Sequence, residues 1–157
     1  MDKVTSGLVW FGEGSWDGAE MWVGSLPKFK KNIENFDFII TAVTPWEYEE
    51  ISHLFSSKAL APGQGHLYVN LDDSDVSEQQ VANIRHGADV AYTVFAQSHK
   101  VLVHCQQGWN RSGVIVARAM MMGRWSADQA IAAVRKVRGP SALCNEAFVN
   151  WLKSEEE

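Results

Sequence analysis

The apolar positions of this chain change period several times, and each change marks an element. Residues 101–103, Val-Leu-Val, are wholly apolar and β-prone, the mark of a strand buried on both faces. Residues 38–43, Phe-Ile-Ile-Thr-Ala-Val, read the same way. Residues 66–71 give a third strand, and residues 21–24 a fourth that stops at Gly24. Leu8 to Phe11 add a candidate edge strand. With Trp16, its aromatics make residues 1–20 an N-terminal cover packed on the core.

Between these strands the period lengthens to that of a helix. Thr44, Pro45 and Glu47 give an N-cap, a first-turn proline and a capping box. Trp46, Tyr48, Ile51, Leu54 and Phe55 follow as an apolar side, with His53 half-buried among them. Pro27 opens a short polar surface helix over residues 28–35, which carries Lys28, Lys30 and Lys31. Ser77 and Gln80 form a second capping box. It opens a long helix through Val81, Ile84, Ala88, Ala91, Val94 and Phe95 that ends near His99 and Lys100. A helix runs from Ser112 to about Gly123. Ser126 and Gln129 start another, which stops at Gly139-Pro140. Residues 145–153 make the last, with Phe148, Trp151 and Leu152 inward, and residues 154–157 a frayed tail.

Strand and helix alternate, so the predicted fold is α/β: a mainly parallel sheet of about four to five strands with helices on both faces. Nothing marks an internal boundary, so residues 1–157 read as one domain. On such sheets ligands bind beyond the carboxyl ends of the strands. The loop after residue 71 and the loop after residue 104 therefore share one edge.

Composition narrows the partners. The net charge of −5 argues against a nucleic-acid footprint. No apolar run is long enough to span a membrane, and residues 1–7 lack the apolar core of a signal peptide. Two cysteines far apart suit a reducing cytoplasm.

The candidate chemistry lies in His104-Cys-Gln-Gln-Gly-Trp-Asn-Arg-Ser112. A strand feeds a tight loop that opens a helix, which leaves unpaired N–H groups and the helix dipole aimed at one spot. Such a spot binds phosphate. Gln106, Gln107, Gly108, Trp109, Asn110 and Arg111 supply the amides. The Arg111 fork matches two phosphate oxygens at once. Cys105 stands at the loop's mouth, where positive charge favours a thiolate. Ser112 can hydrogen-bond its sulfur. A thiolate beneath a phosphate cup predicts attack on phosphorus and a phosphocysteine intermediate. A carboxylic acid must then protonate the departing oxygen, and Asp72, Asp73 and Asp75 all lie in the facing loop.

The pattern His-Cys-x-x-Gly-x-x-Arg-Ser resembles the signature loop of cysteine-dependent protein tyrosine phosphatases, the small dual-specificity branch above all. Met21 to Ser25 resembles the entry strand of that branch. Arg138-Gly-Pro140 with Asn145 and Phe148 resembles its C-terminal part. The resemblance implies a phosphorylated protein or peptide as substrate and no cofactor or metal. It implies that His104 braces the loop, and that the acid lies about thirty residues before the cysteine. Asp73, 32 residues before Cys105, fits that distance best.

Other readings accompany this one. The same chemistry can act on a phosphoinositide or an RNA 5′-phosphate, and a silent relative can bind phosphoresidues without turnover. The loop has no lysine between Cys105 and Arg111, which disfavours the phosphoinositide. Cys144 is expected as a buried structural cysteine; the alternative is a protective disulfide with Cys105. Trp109 can wall the pocket or pack beneath the loop. His66, His86 and His99 lack metal-ligand spacing, and three loop aspartates are weak grounds for a cation site.

Overall fold

A computed structural model describes residues 6–156. The first five residues of the expected N-terminal cover, and Glu157, lie outside them. The order of elements is β1 (Ser6–Phe11), β2 (Glu20–Gly24), β3 (Phe38–Val43), α1 (Pro45–Ile51), β4 (Gly65–Asn70), α2 (Glu78–Ala96), β5 (Lys100–His104), α3 (Arg111–Met122), α4 (Ala127–Arg138) and α5 (Glu146–Ser154). The strands form one sheet in the order β1-β2-β5-β3-β4. Only the β1–β2 pair is antiparallel. The expected α/β sheet is therefore present, with β5 at its centre.

Alternation along β5 divides the interior. Val101 and Val103 face a large core with α2, α3, α4 and α5, while Leu102 joins a smaller one with Ile39, Ile51, Leu54 and Phe55. Helical cover on the two faces is thus unequal. The N-terminal aromatics complete the large core. Trp10 stacks on Phe95 at 3.8 Å, with Trp16 edge-on to both.

Several local expectations change. Residues 28–35 form only a 3-10 turn at Lys30–Asn32. The Asn32 carboxamide accepts the N–H groups of Lys28 and Phe29, so a side chain competes with the helix there. The long helix ends at Ala96, short of His99 and Lys100. Ser98 adopts a left-handed φ of 66°. The Lys100 N–H donates to Asp37, which commits that residue to β5. The expected helix through Phe55 ends at Ile51 and continues as a 3-10 turn over Ser52–Phe55, and the buried period runs through Ile51, Leu54 and Phe55. Trp46 falls outside it and is 68% exposed. His53 is also exposed, not half-buried.

Ser77 caps α2, but Gln80 does not close the expected box. Its carboxamide turns to the loop before the helix, accepting from Asp72 N–H and donating to the carbonyls of Asp72 and Asp75. The box at Ser126 and Gln129 forms as expected. Within the tail, Glu155 and Glu156 are tied down rather than frayed. Glu155 pairs with Arg85 and Arg118, and Glu156 accepts the first N–H of α4 from Ala127.

Parallel pairing brings the carboxyl ends of β2, β3, β4 and β5 to one edge. The segments after Gly24, Val43, Asn70 and His104 converge there.

Candidate active site

The loop from Cys105 to Asn110 begins where β5 ends. Its carbonyls point outward because the surroundings hold them. His104 Nδ1 lies 3.4 Å from the Cys105 carbonyl. Leu26 N–H donates to the Gln106 carbonyl at 3.0 Å. Arg138, the last residue of α4, donates Nη2 to Gln107 at 2.9 Å and Nε to Gly108 at 3.2 Å. Leu143 N–H donates to Trp109 at 3.0 Å. The peptides are trans, so each carbonyl held outward turns the next N–H inward. A concave array of donors follows from those five bonds.

One backbone position demands glycine. Gly108 has φ +76°, and a Cβ there would stand 2.7 Å from the backbone of Gly24. The close approach lets the loop fold over the end of β2.

Cys105 lies at the base of the loop, almost fully buried. Its Sγ is 3.3 Å from Gly108 N, which donates to it, and 3.2 Å from Ser112 Oγ. Ser112 and Arg111 occupy the first turn of α3, and both are buried. Gln106, Gln107 and Trp109 point to solvent, while Asn110 is buried.

Arg111 meets a carboxylate that sequence reasoning used only as a helix cap. Its Nη1 and Nη2 donate to Glu47 Oε1 and Oε2 at 2.7 and 3.2 Å, and Nη1 also reaches the Leu71 carbonyl. Glu47 keeps its cap too, accepting from Thr44 N–H and Oγ1. Burial raises the Glu47 pKa, but the bonds from Arg111 and Thr44 outweigh it and hold the carboxyl at about 2. Burial pulls the arginine down, but its bond to Glu47 and the negative charge of Cys105, Glu47 and Asp73 together hold it above its ordinary value. The signal for Glu47 was available. It follows β3 on the same edge as the cysteine loop, and the edge rule applied to Asp72–Asp75 applies equally to it.

Asp73 faces the loop. Its Oδ2 accepts from Asn110 Nδ2 at 3.1 Å and its Oδ1 from Asn145 Nδ2 at 2.8 Å. Asn110 Oδ1 in turn accepts Asn145 N–H. Two carboxamides, one in the cysteine loop and one capping α5, thus clamp a single carboxyl. A cavity of about 390 Å³ is lined by Thr44, Trp46, Glu47, Glu50, Asp72, Asp73, Gln106 and Arg111. Asp75 is not among them.

Cys144 is exposed, against expectation, and both cysteines are free. Its sulfur sits 3.5 Å from Asn110 Nδ2, in the turn between α4 and α5, where no core reaches it. Among the described residues, no group of three His, Cys, Asp or Glu side chains could hold a metal ion. In the same residues no helix is long and apolar enough to cross a membrane.

A strand-loop-helix anion cradle with a cysteine at its floor and an arginine at its wall defines a class of phosphate-handling protein. The family model described as "Dual specificity phosphatase, catalytic domain" matches residues 22–157, and the chain belongs to that family. A protein of Invertebrate iridescent virus 6, named "Putative tyrosine phosphatase 123R", is 35% identical over 96 residues. That match covers 57% of this chain and 63% of the viral protein, less than two thirds of its length. Kinase associated phosphatase, solved with its catalytic-site cysteine replaced by serine, superposes with a TM-score of 0.74. The identity is 16%, over 96% of this chain and 93% of that one. PTPMT1 in complex with PI(5)P is 25% identical, with a TM-score of 0.64 over 88% of this chain and 93% of that one.

Proposed function

We propose that the chain is a metal-independent phosphomonoester hydrolase of the tyrosine and dual-specificity type, with Cys105 as nucleophile. The observation that carries this reading is the cup itself. Five carbonyls are pinned outward around a buried sulfur that already meets one amide and one hydroxyl.

In the proposed reaction the inward amides and Arg111 bind the phosphoryl oxygens. Glu47 takes the end edge of the guanidinium, so the side edge, Nε with the other Nη2 proton, serves the phosphate. The Cys105 thiolate attacks phosphorus in line, forming the S–P bond as the ester P–O bond breaks. Asp73 gives its proton to the leaving oxygen. The resulting carboxylate takes a proton from water, whose oxygen attacks phosphorus. The S–P bond breaks, phosphate leaves, and the Ser112 hydroxyl receives the departing thiolate by hydrogen bond. Amides and guanidinium fixed beforehand stabilise the charge of both transition states.

Asp73 is preferred over its neighbours because Asn110 ties it to the loop and it borders the cavity. Asp72 has its backbone engaged by Gln80, and Asp75 lies off the cavity. The substrate is a phosphorylated protein or peptide in a cytoplasmic setting. A second reading, the same chemistry on a phosphoinositide, is favoured by the likeness to PTPMT1. The cavity's carboxylates, Glu47, Glu50, Asp72 and Asp73, oppose a multiply charged headgroup.

Hydrolysis of an aryl phosphate with chelator present tests the reading. Wild type turns over, Cys105→Ser falls to background, and Asp73→Asn loses roughly 10²–10⁴-fold. Turnover that requires added metal, or survives in Cys105→Ser, contradicts it.

A further inference from the structure

The small face of the sheet carries a polar row that the proposed reaction does not use. Thr41 on β3 stands directly opposite His104 on β5. Its Oγ1 lies 2.7 Å from His104 Nε2 and 2.8 Å from His66 Nε2, on β4. Phe55 stacks flat on the His66 ring, 3.8 Å between centroids and 3° between planes. His104 is fully buried, and burial pushes its pKa down to about 3. Burial likewise pushes His66 down to about 4. Both rings are therefore neutral at pH 7, with one N–H each.

Proton counting gives this row a direction. Thr41 has one hydroxyl proton for two ring nitrogens, so one Nε2 donates to it and the other accepts from it. The Cys105 carbonyl can only accept, so the N–H of His104 is on Nδ1. His104 Nε2 then accepts from Thr41, and Thr41 accepts from His66 Nε2–H. The opposite assignment would set a ring lone pair against the Cys105 carbonyl oxygen.

We infer that Thr41 and His66 are positioning residues for Cys105. They form a one-way hydrogen-bond chain from His66 through Thr41 and His104 to the Cys105 carbonyl. The chain fixes the tautomer of His104 and pins the first peptide of the loop, so that the Gln106 N–H points away from His104. Each bond polarises the next, which strengthens the last. Without Thr41, His104 loses the partner that sets its tautomer, and the peptide beside the sulfur is freed. This inference rests on the reading of Cys105 as the nucleophile.

The test reads the sulfur directly, as the pH profile of its alkylation by iodoacetamide. A Cys144→Ser background leaves a single thiol. The groups around the sulfur, Arg111, Arg138, Ser112 and the Glu47 and Asp73 carboxylates, stay unchanged in every variant. Thr41→Val keeps the shape of the side chain and removes the hydroxyl. It should alkylate about tenfold more slowly at pH 6, the factor carried by one hydrogen bond. Its kcat/KM profile for an aryl phosphate should lose its acid side by the same amount. Thr41→Ser should restore both to within about twofold. His66→Phe keeps a ring on Phe55 without the donor and should fall between, about threefold slow. Melting temperature and circular dichroism confirm that each variant is folded.

An unchanged pH profile in folded Thr41→Val or His66→Phe overturns the inference, as does failure of Thr41→Ser to rescue. These outcomes leave the phosphatase reading standing. If the parent protein neither alkylates faster than an ordinary exposed thiol at pH 6 nor hydrolyses the aryl phosphate, that reading falls and takes this inference with it.

Discussion

Glu47 holds two partners with one carboxylate, and its protonation would release both. Its pKa of about 2 lies below the ordinary 4.5. A lowered carboxylate pKa contributes stability that is present above pH 4.5 and lost as pH falls towards about 2. The Glu47→Gln variant should therefore melt below wild type at pH 7, and the gap should narrow as pH falls from 4.5 to about 2. At pH 7 the same variant should bind inorganic phosphate about tenfold more weakly, because Arg111 loses the carboxylate that orients its side edge. A melting gap independent of pH would contradict this account of the pair. The Asp73 clamp makes a further residue-scale prediction. Asn145→Ala removes a donor to the Asp73 carboxyl. It should lower kcat more for an alkyl phosphate than for p-nitrophenyl phosphate, whose good leaving group needs little proton transfer. Equal losses on the two substrates would remove Asp73 from the role of acid.

At the scale of elements, the cup depends on neighbours more than on its own sequence. Arg138 closes α4 yet holds two loop carbonyls. Arg138→Met should leave the fold intact and cut kcat/KM on an aryl phosphate by roughly 10²-fold, the cost of a loop displaced by about 1 Å. Wild-type turnover in that variant would show that the outward pins are dispensable. Gly108→Ala meets the Gly24 backbone and a positive φ together. It should destabilise the protein by about 1–3 kcal/mol in denaturant melts, besides opening the loop. The parts of the site that could be read from the chain were local ones. An apolar Val-Leu-Val run, a glycine at the turn and the start of α3 are consecutive, so β5, the loop and the helix follow from adjacent residues. Glu47 and Gln80 were legible only as caps. The second partner of Glu47 is 64 residues away, and the preference of Gln80 for Asp72 and Asp75 was set by the loop it had to organise. Cys144 looked apolar by type, but the turn between α4 and α5 presents it to solvent.

Over the whole molecule, one parallel sheet edge gathers the segments after four strands, of which alternation had placed together only those after residues 71 and 104. What alternation did not imply is the polar row crossing the sheet beneath the site. Its histidines carry a stability signature. In the unfolded chain they titrate near 6.5, whereas burial holds His104 at about 3 and His66 at about 4. The unfolded state therefore binds more protons, so stability is full above about pH 6.5 and declines as pH falls towards 3. Melting temperature should drop over that window, and His66→Phe should flatten part of the slope. A melting temperature constant from pH 7 to pH 4 would show that neither ring is buried neutral. The central claim is more exposed still to one experiment at the sulfur. Rapid acid quench of the 157-residue chain with a phosphotyrosine peptide, followed by intact and peptide mass spectrometry, should catch a single phosphoryl group on Cys105. It should accumulate further in Ser112→Ala, where the thiolate is a poorer leaving group, and be absent in Cys105→Ser. A protein that hydrolyses the peptide with no phosphoryl group on Cys105 in either form, or with one that persists in Cys105→Ser, would contradict the account.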